Sequence, residues 1–182
     1  MKRRVTTYEE IKRLLCMGEL RALRNFGKGI KERLSPPRKL EWLQFEKIDE
    51  FLEITVQPIH RENEIIVPKH GSHSLRSVAE RIRENGYTFE RLASEPSLDE
   101  QLHKPKWFRP CVPVAENFDV SRLSPIVVTD LKNEHQSLDP GSTYTLSHGD
   151  GSHRSLVYAV RLLRGRERFA PVEAIYFTPR EI

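Results

Sequence analysis

The sequence predicts an α+β fold, in which a small mixed sheet is flanked by helices. Short apolar or alternating runs typical of strands are separated by two segments with the periodicity of amphipathic helices. A glycine-rich turn joins one of these strands directly to the second helix. The chain has 182 residues, which is long enough for one good core with an appendage.

Composition narrows the class of protein. The chain is 37% hydrophobic and 31% charged, and its formal net charge is +4. We expect no membrane insertion, because no apolar run has the length of a membrane span and Met1-Lys-Arg-Arg is not followed by an apolar signal region. Cys16 and Cys111 are too far apart to indicate a metal site or a disulfide framework. These features predict a protein of the reducing cytoplasm.

Residues 1–37 predict a basic helical N-terminal extension that ends in a linker. Thr6 and Glu9 have the spacing of a capping box, and leucines recur at helical intervals after them. Lys and Arg side chains would cover the polar face of this helix. Such a face can follow a nucleic-acid backbone or an acidic partner, or it can simply be solvated, and both interpretations stay open. Ser35-Pro-Pro37 would be the linker, so that 38–182 forms the main domain.

The first half of this domain predicts strands followed by a helix. Residues 40–67 hold three apolar runs, of which 51–56 and 64–67 alternate or run apolar over short lengths and predict strands. Residues 74–85 carry apolar side chains at helical spacing, and Asn85-Gly86 provides the stop.

Neither strand alternation nor helical periodicity is visible over 87–122, which we interpret as an insertion. Prolines interrupt it at positions 96, 105, 110 and 113, around Trp107-Phe108. A run this long without periodicity is typical of a functional loop or lid. It can equally be a partner-binding surface anchored by Trp107, or a loop whose tryptophan fills the core.

The second half predicts the remaining strands and the second helix. Residues 125–129, 144–148 and 171–177 are typical of strands, and 153–164 of a helix. The glycine-rich turn Gly149-Asp-Gly-Ser-His-Arg154 therefore leads from a strand into a helix.

This turn is the candidate site. Glycines allow the backbone to approach a ligand closely, and the start of a helix suits a phosphate. His153 and Arg154 gain nothing from the helix dipole there unless an anion lies between them and the amides. Asp150 would be repelled by phosphates unless a divalent cation such as Mg²⁺ lay between them. In the alternative interpretation Asp150 or Ser152 caps the helix and the basic side chains are solvated.

Three pieces of the chain, in this order, resemble the ParB/sulfiredoxin superfamily. They are Ile82-Arg-Glu-Asn-Gly86 at the end of a helix, Pro125-Ile-Val-Val128, and Gly151-Ser-His-Arg154. The resemblance covers about 64–177 and implies a ParB/sulfiredoxin-like domain with the insertion at about 87–122. It also implies ATP as ligand or substrate.

The resemblance assigns residues to the nucleotide. The nucleotide-binding residues that it implies, together with the turn, are Gly149, Gly151, Ser152, His153, Arg154, Ser77 and Arg81. Ser77 matches a serine that contacts phosphate, whereas Arg81 replaces a threonine. Ser152 stands where sulfiredoxins have their reactive cysteine, so we expect no repair of sulfinic acids.

The expected function is a phosphohydrolase that hydrolyses ATP and cleaves DNA with weak sequence preference. Small members of the superfamily include plasmid fertility-inhibition proteins of the Osa type, which implies a role against conjugation and a conjugation or secretion-system protein as partner. Asp150 would hold the metal or orient water, His153 would be acid or base, and Arg154 would stabilise phosphoryl charge. The alternatives are a non-catalytic nucleotide- or DNA-binding inhibitor and a kinase for a small serine-like hydroxyl compound.

Overall fold

The computed structural model describes residues 1–7, 9–11, 13, 40–56, 60–61, 64–65, 72–95, 105–123, 125–130, 144–146 and 151–177. The strands are β1 (Lys2–Val5), β2 (Leu40–Phe45), β3 (Thr55–Val56), β4 (His60–Arg61), β5 (Glu64–Ile65), β6 (Ile126–Asp130), β7 (Tyr144–Leu146) and β8 (Val172–Phe177). The helices are α1 (Ile48–Leu52), α2 (Leu75–Glu84), α3 (Phe89–Ser94), α4 (Pro105–Phe108), α5 (Cys111–Glu116) and α6 (Ser152–Leu163), with a 3₁₀ turn at Val120–Arg122. In the part of the chain so described, no helix is long and apolar enough to cross a membrane.

Six strands form one mixed sheet in the order β1-β2-β8-β6-β7-β3, and β4 pairs with β5 separately. Strand β8 is antiparallel to β2 and parallel to β6, while β3 is parallel to β7. One face of this sheet packs against the helices, and α6 contributes an unbroken run of buried residues from 155 to 160. The prediction of an α+β fold with a small mixed sheet flanked by helices is confirmed.

The strands β3, β6 and β7 fix where helices α2 and α6 begin. Ser74, which caps α2, forms a bridge with Thr55 of β3, and β3 runs parallel to β7. Gly151, which caps α6, lies against Ile126 at the start of β6. In the antiparallel β6–β7 pair, Val128 is opposite Leu146, so the start of β6 lies beyond the end of β7. The start of α2 therefore lies beside the first residue of β3, and the start of α6 lies beyond the end of β7.

Arg164 links the C-terminal ends of α2 and α6. Arg164, just after α6, donates to the backbone carbonyl of Tyr87 (2.6 Å) and to that of Ile82 (3.5 Å). These carbonyls belong to the last turn of α2 and to the chain that leaves it. The C-terminal ends of the two helices therefore lie together.

The first residues differ from the predicted helical extension. Residues 2–5 form β1, which pairs antiparallel with β2 at the edge of the sheet. A helical turn follows, but Thr7 rather than Thr6 caps it, because its hydroxyl accepts from the amide of Glu10 (3.1 Å). Residues 14–37, with Cys16 and the linker Ser35–Pro37, lie outside the described residues, so the rest of the extension stays a prediction.

The strand predicted at 51–56 is wrong in its first half. Residues 48–52 form α1, and only Thr55–Val56 extends the sheet. Glu50 explains the helix, because its carboxylate accepts from the backbone amides of Glu46 (3.1 Å) and Lys47 (3.3 Å), which stabilises the first turn. The apolar run 40–45 is itself the strand β2, between β1 and β8.

The segment 87–122 is largely helical rather than irregular in the parts described, 87–95 and 105–122. It holds α3, α4, α5 and the 3₁₀ turn. Its prolines misled the sequence interpretation, because they stand at helix starts: Pro105 opens α4, and Pro110 caps α5. A first helical turn tolerates proline, since its amide has no partner within the helix. Residues 96–104 of this segment lie outside the described residues.

The predicted helix at 74–85 is confirmed as α2, with Ser74 as N-cap and Asn85 as C-cap. The helix at 153–164 is confirmed as α6, displaced by one residue. The strands at 125–129, 144–148 and 171–177 correspond to β6, β7 and β8, and 147–148 lie outside the described residues.

Candidate functional site

The start of α6 is built on a glycine for two reasons. Gly151 has φ +87°, a left-handed conformation that L side chains rarely adopt. A Cβ at this position would also lie 2.9 Å from Cγ2 of Ile126. As N-cap, Gly151 brings no side chain to cap the first turn. The preceding Gly149 and Asp150 lie outside the described residues, so their predicted roles stay predictions.

His153, in the first turn of α6, packs under α4. The centroid of its imidazole lies 4.7 Å from that of the Trp107 ring, with the planes tilted by 43°. Burial lowers the pKa of His153, and a hydrogen bond with the backbone of Trp107 opposes this effect to a smaller extent. Its Nε2 is buried and has no hydrogen-bond partner among the described residues.

These contacts define the tautomer of His153. The imidazole has two nitrogens, and Nε2 is the one without a partner, so Nδ1 makes the bond to Trp107. This bond raises the pKa of His153, which is the effect of a backbone carbonyl that accepts from the ring, and the assignment that fits it places the proton on Nδ1. In the neutral ring that burial favours, Nε2 is then a bare lone pair that can accept a proton or a hydrogen bond.

Arg154 extends from the first turn of α6 towards the 3₁₀ turn. Its Nη1 donates to the backbone carbonyl of Arg122 (2.7 Å). It also lines a cavity of about 240 Å³, together with residues of α5 and the 3₁₀ turn. Ser152, the first residue of α6, is half-buried beside it. The guanidinium is thus held across one side of the helix start.

Ser77 and Arg81 lie one turn apart on α2 and differ in the hydrogen bonding of their side chains. The Ser77 hydroxyl donates to the backbone carbonyls of Ser72 (2.6 Å) and Ser74 (3.1 Å), so its proton stabilises the start of α2. Nη1 of Arg81, in contrast, is buried and makes no hydrogen bond within the described part of the chain. A buried guanidinium nitrogen without a partner is costly, and an anion would satisfy it.

Other candidate chemistry is limited. In the described ranges no group of three or more His, Cys, Asp or Glu could hold a metal ion. The Mg²⁺ prediction depends on Asp150, which lies outside the described residues. No proposed step passes through a metal. Cys111 is fully buried, and this burial raises the pKa of its thiol, which makes the residue an unreactive part of the core.

The structure adds two residues to the site. Trp107 is 8% exposed and holds His153, so of the interpretations given to the 87–122 segment the core-filling tryptophan is confirmed. The sequence indicated a role for Trp107, but it did not indicate that Trp107 contacts His153. Arg122 participates through its backbone carbonyl, which no side-chain motif reveals.

Comparison of the chain with models of protein families, with curated proteins and with solved structures found no match.

Proposed function

We propose that this chain is a nucleotide-binding phosphohydrolase of ParB/sulfiredoxin type that hydrolyses ATP at the start of α6. The observation that carries the proposal is the bare, buried Nε2 of His153 in the first turn of a helix whose N-cap is a glycine. The glycine leaves the first turn of α6 without a side-chain cap, so that its amides can bind a phosphate, and the imidazole would give that phosphate a proton acceptor.

Two cationic side chains support phosphate binding. Arg154 belongs to the same first turn as His153, and its guanidinium already spans to the 3₁₀ turn. Arg81, in the last turn of α2, is the other candidate, because it carries a buried nitrogen in need of an acceptor. Guanidinium groups bind phosphate oxygens by two parallel hydrogen bonds, so both arginines suit this role.

The chemistry follows from the tautomer of His153. Nε2 accepts a proton from a water molecule while the oxygen of that water forms a bond to phosphorus. The bond between phosphorus and the leaving oxygen breaks, and the electron pair goes to the leaving phosphate. A lowered pKa favours the neutral imidazole, which accepts a proton, so the proposal gives His153 the role of base rather than acid.

A second candidate, a binding protein without turnover, is favoured by the packing of His153. A ring centroid 4.7 Å from that of Trp107 leaves the imidazole little freedom to follow a reacting water. In this case ATP would bind through the arginines and remain intact.

Measurements on His153→Asn separate the two candidates. The asparagine amide can replace Nδ1 in the bond to Trp107, whereas Nε2 is lost. We expect the hydrolysis rate of ATP to fall about 100-fold or more, with ATP affinity within about threefold of wild type. Arg154→Ala should weaken ATP binding about tenfold or more, and Arg166→Ala, an exposed arginine beyond the other end of α6, is its matched control.

An unchanged hydrolysis rate in His153→Asn would remove His153 from the chemistry. ATP binding that depends on Arg154 without any release of ADP would identify the binding protein instead. Equal ATP affinity in Arg154→Ala and Arg166→Ala would contradict the proposed phosphate site.

Cleavage of DNA is the same displacement at a phosphodiester, so the proposal extends to it. A plasmid-nicking assay of wild type and His153→Asn tests this extension with the same pair of proteins. Mg²⁺ dependence, which rests on Asp150, and interference with conjugation through a secretion-system protein, which rests on the family resemblance, are parts of the proposal that the described contacts do not address.

A further inference from the structure

A cavity opens between α5, the 3₁₀ turn and the first turn of α6. Its apolar walls include Val114, Phe118 and Leu123, and its polar rim includes Asn117 and Arg154. Phe118 is fixed in place, since its ring stacks on Tyr158 (5.6 Å between centroids, 16° between planes). A rigid apolar pocket with a few converging polar groups is the usual form of a small-molecule site.

The size of the cavity limits what it can hold. Its volume of about 240 Å³ is below the roughly 300–1,000 Å³ typical of sites that hold a whole drug-sized ligand. It fits one ring system rather than a complete nucleotide. The ring should also carry hydrogen-bonding edges, because Asn117, Asp119, Arg122 and Arg154 bring polar side chains to the lining of the cavity.

The rim offers both donors and an acceptor. The side-chain amide of Asn117 donates through Nδ2 to the carbonyl of Pro113 (3.2 Å), which directs hydrogen bonding of a ligand to its Oδ1. Arg154 and Arg122 contribute guanidinium donors. A nucleobase has this combination, since its flat apolar faces are bordered by amino donors and ring-nitrogen acceptors.

We infer that this cavity is the nucleobase subsite of the nucleotide whose phosphates lie at the start of α6. The inference rests on the proposed function and names the part of the ligand that the phosphate site does not hold. Arg154 joins the two subsites, because it lies in the first turn of α6 and its side chain lines the cavity. The first three residues of a helix rise by only about 4.5 Å, so phosphate and cavity lie within the reach of one nucleotide.

The test compares ATP with inorganic tripolyphosphate, which carries the phosphates and lacks the base. Val114→Phe fills the cavity, and Glu116→Phe places the same ring at an exposed position of α5 as the matched control. We expect wild type to bind ATP at least tenfold more tightly than tripolyphosphate. Val114→Phe should lose this difference while its affinity for tripolyphosphate stays unchanged, and Glu116→Phe should behave as wild type.

Each outcome distinguishes the two proposals. Equal affinity of wild type for ATP and tripolyphosphate overturns the nucleobase subsite and leaves the phosphate site intact. An unchanged ATP affinity in folded Val114→Phe overturns the subsite as well. Binding of neither compound overturns the proposed function and the inference together. If Val114→Phe does not fold, Asn117→Ala replaces it, with an expected three- to tenfold loss for ATP alone.

Discussion

The starts of α2 and α6 are built in opposite ways. Ser74 caps α2, and its hydroxyl accepts from the amide of Ser77 (3.2 Å). The Ser77 hydroxyl in turn donates to two backbone carbonyls before the helix. Gly151 caps α6 with no side chain, and its left-handed backbone packs against Ile126.

This difference fits the proposal that the start of α6 binds a ligand, whereas the start of α2 is closed by its own side chains. A side-chain cap satisfies part of the first turn of α2 inside the protein, and such a cap contributes about 1 kcal/mol. The chain forgoes this contribution at α6 and places His153 there, with a buried nitrogen that has no partner among the described residues. Local rules of stability are typically broken at functional sites, and α6 breaks two of them.

The largest effect is expected from Gly151→Ala. The left-handed conformation costs about 1–2 kcal/mol for a residue with Cβ, and overpacking against Ile126 adds about 1–3 kcal/mol. Gly86→Ala is the matched control, because Gly86 has φ +64° and a Cβ added there would meet no atom within 4 Å. Urea unfolding should show a loss of about 2–5 kcal/mol at Gly151 and about 1 kcal/mol at Gly86. Equal losses would mean that the close approach to Ile126 is unimportant.

Ser74→Ala should destabilise the protein by about 1 kcal/mol, since α2 loses its cap. ATP affinity should not change, because this helix start is closed by its own side chains. Urea unfolding and titration with ATP measure the two quantities on the same sample. A tenfold loss of ATP affinity would place the start of α2 inside the nucleotide site and end the distinction between the helices.

A smaller effect is expected in the pH dependence of stability. The pKa of His153 is lowered in the fold by burial, so the unfolded chain binds a proton first as the pH falls below about 6.5. The free energy of unfolding should therefore decrease from about pH 7.5 to about pH 5.5 more in wild type than in His153→Asn. All other titrating groups are the same in the two proteins and cancel in the comparison. Identical slopes would show that His153 is not buried in solution.

The smallest effect on the ligand is expected from Ser77→Ala. The family resemblance implies that Ser77 contacts a phosphate. In the structure its hydroxyl instead donates to the backbone carbonyl of Ser72 (2.6 Å). We expect ATP affinity within twofold of wild type and a stability loss of about 0.5–1.5 kcal/mol. A clear loss of ATP affinity at unchanged stability would restore the phosphate contact.

Sequence periodicity was sufficient for the long elements of the fold. The helices α2 and α6 have apolar stripes and clear end signals, and both lie within one residue of their predicted bounds. Short helices were harder to predict, because a five-residue helix such as Ile48–Leu52 contains too few turns to show a helical period. In 105–116 the prolines were interpreted as helix breakers although they stand at helix starts.

The candidate site was predictable only in its local part. The glycine turn and the adjacent His153 and Arg154 are neighbours in sequence, so a motif reveals them. Their partners Trp107 and Arg122 come from a segment more than thirty residues away along the chain, as the 32-residue separation of Arg154 and Arg122 illustrates. Such contacts depend on the tertiary packing of α4 and α5, which no local pattern encodes.

The place of β8 in the sheet has a consequence for biosynthesis. This strand joins the pair β1-β2 to the group β6-β7-β3, although it is the last of the described strands along the chain. Neither half of the sheet can dock onto the other until 172–177 have emerged from the ribosome. During translation, β2 and β6 thus each wait with an unpaired edge, a state that invites association with other nascent chains. The described sheet is therefore complete only after residue 177 has been synthesised.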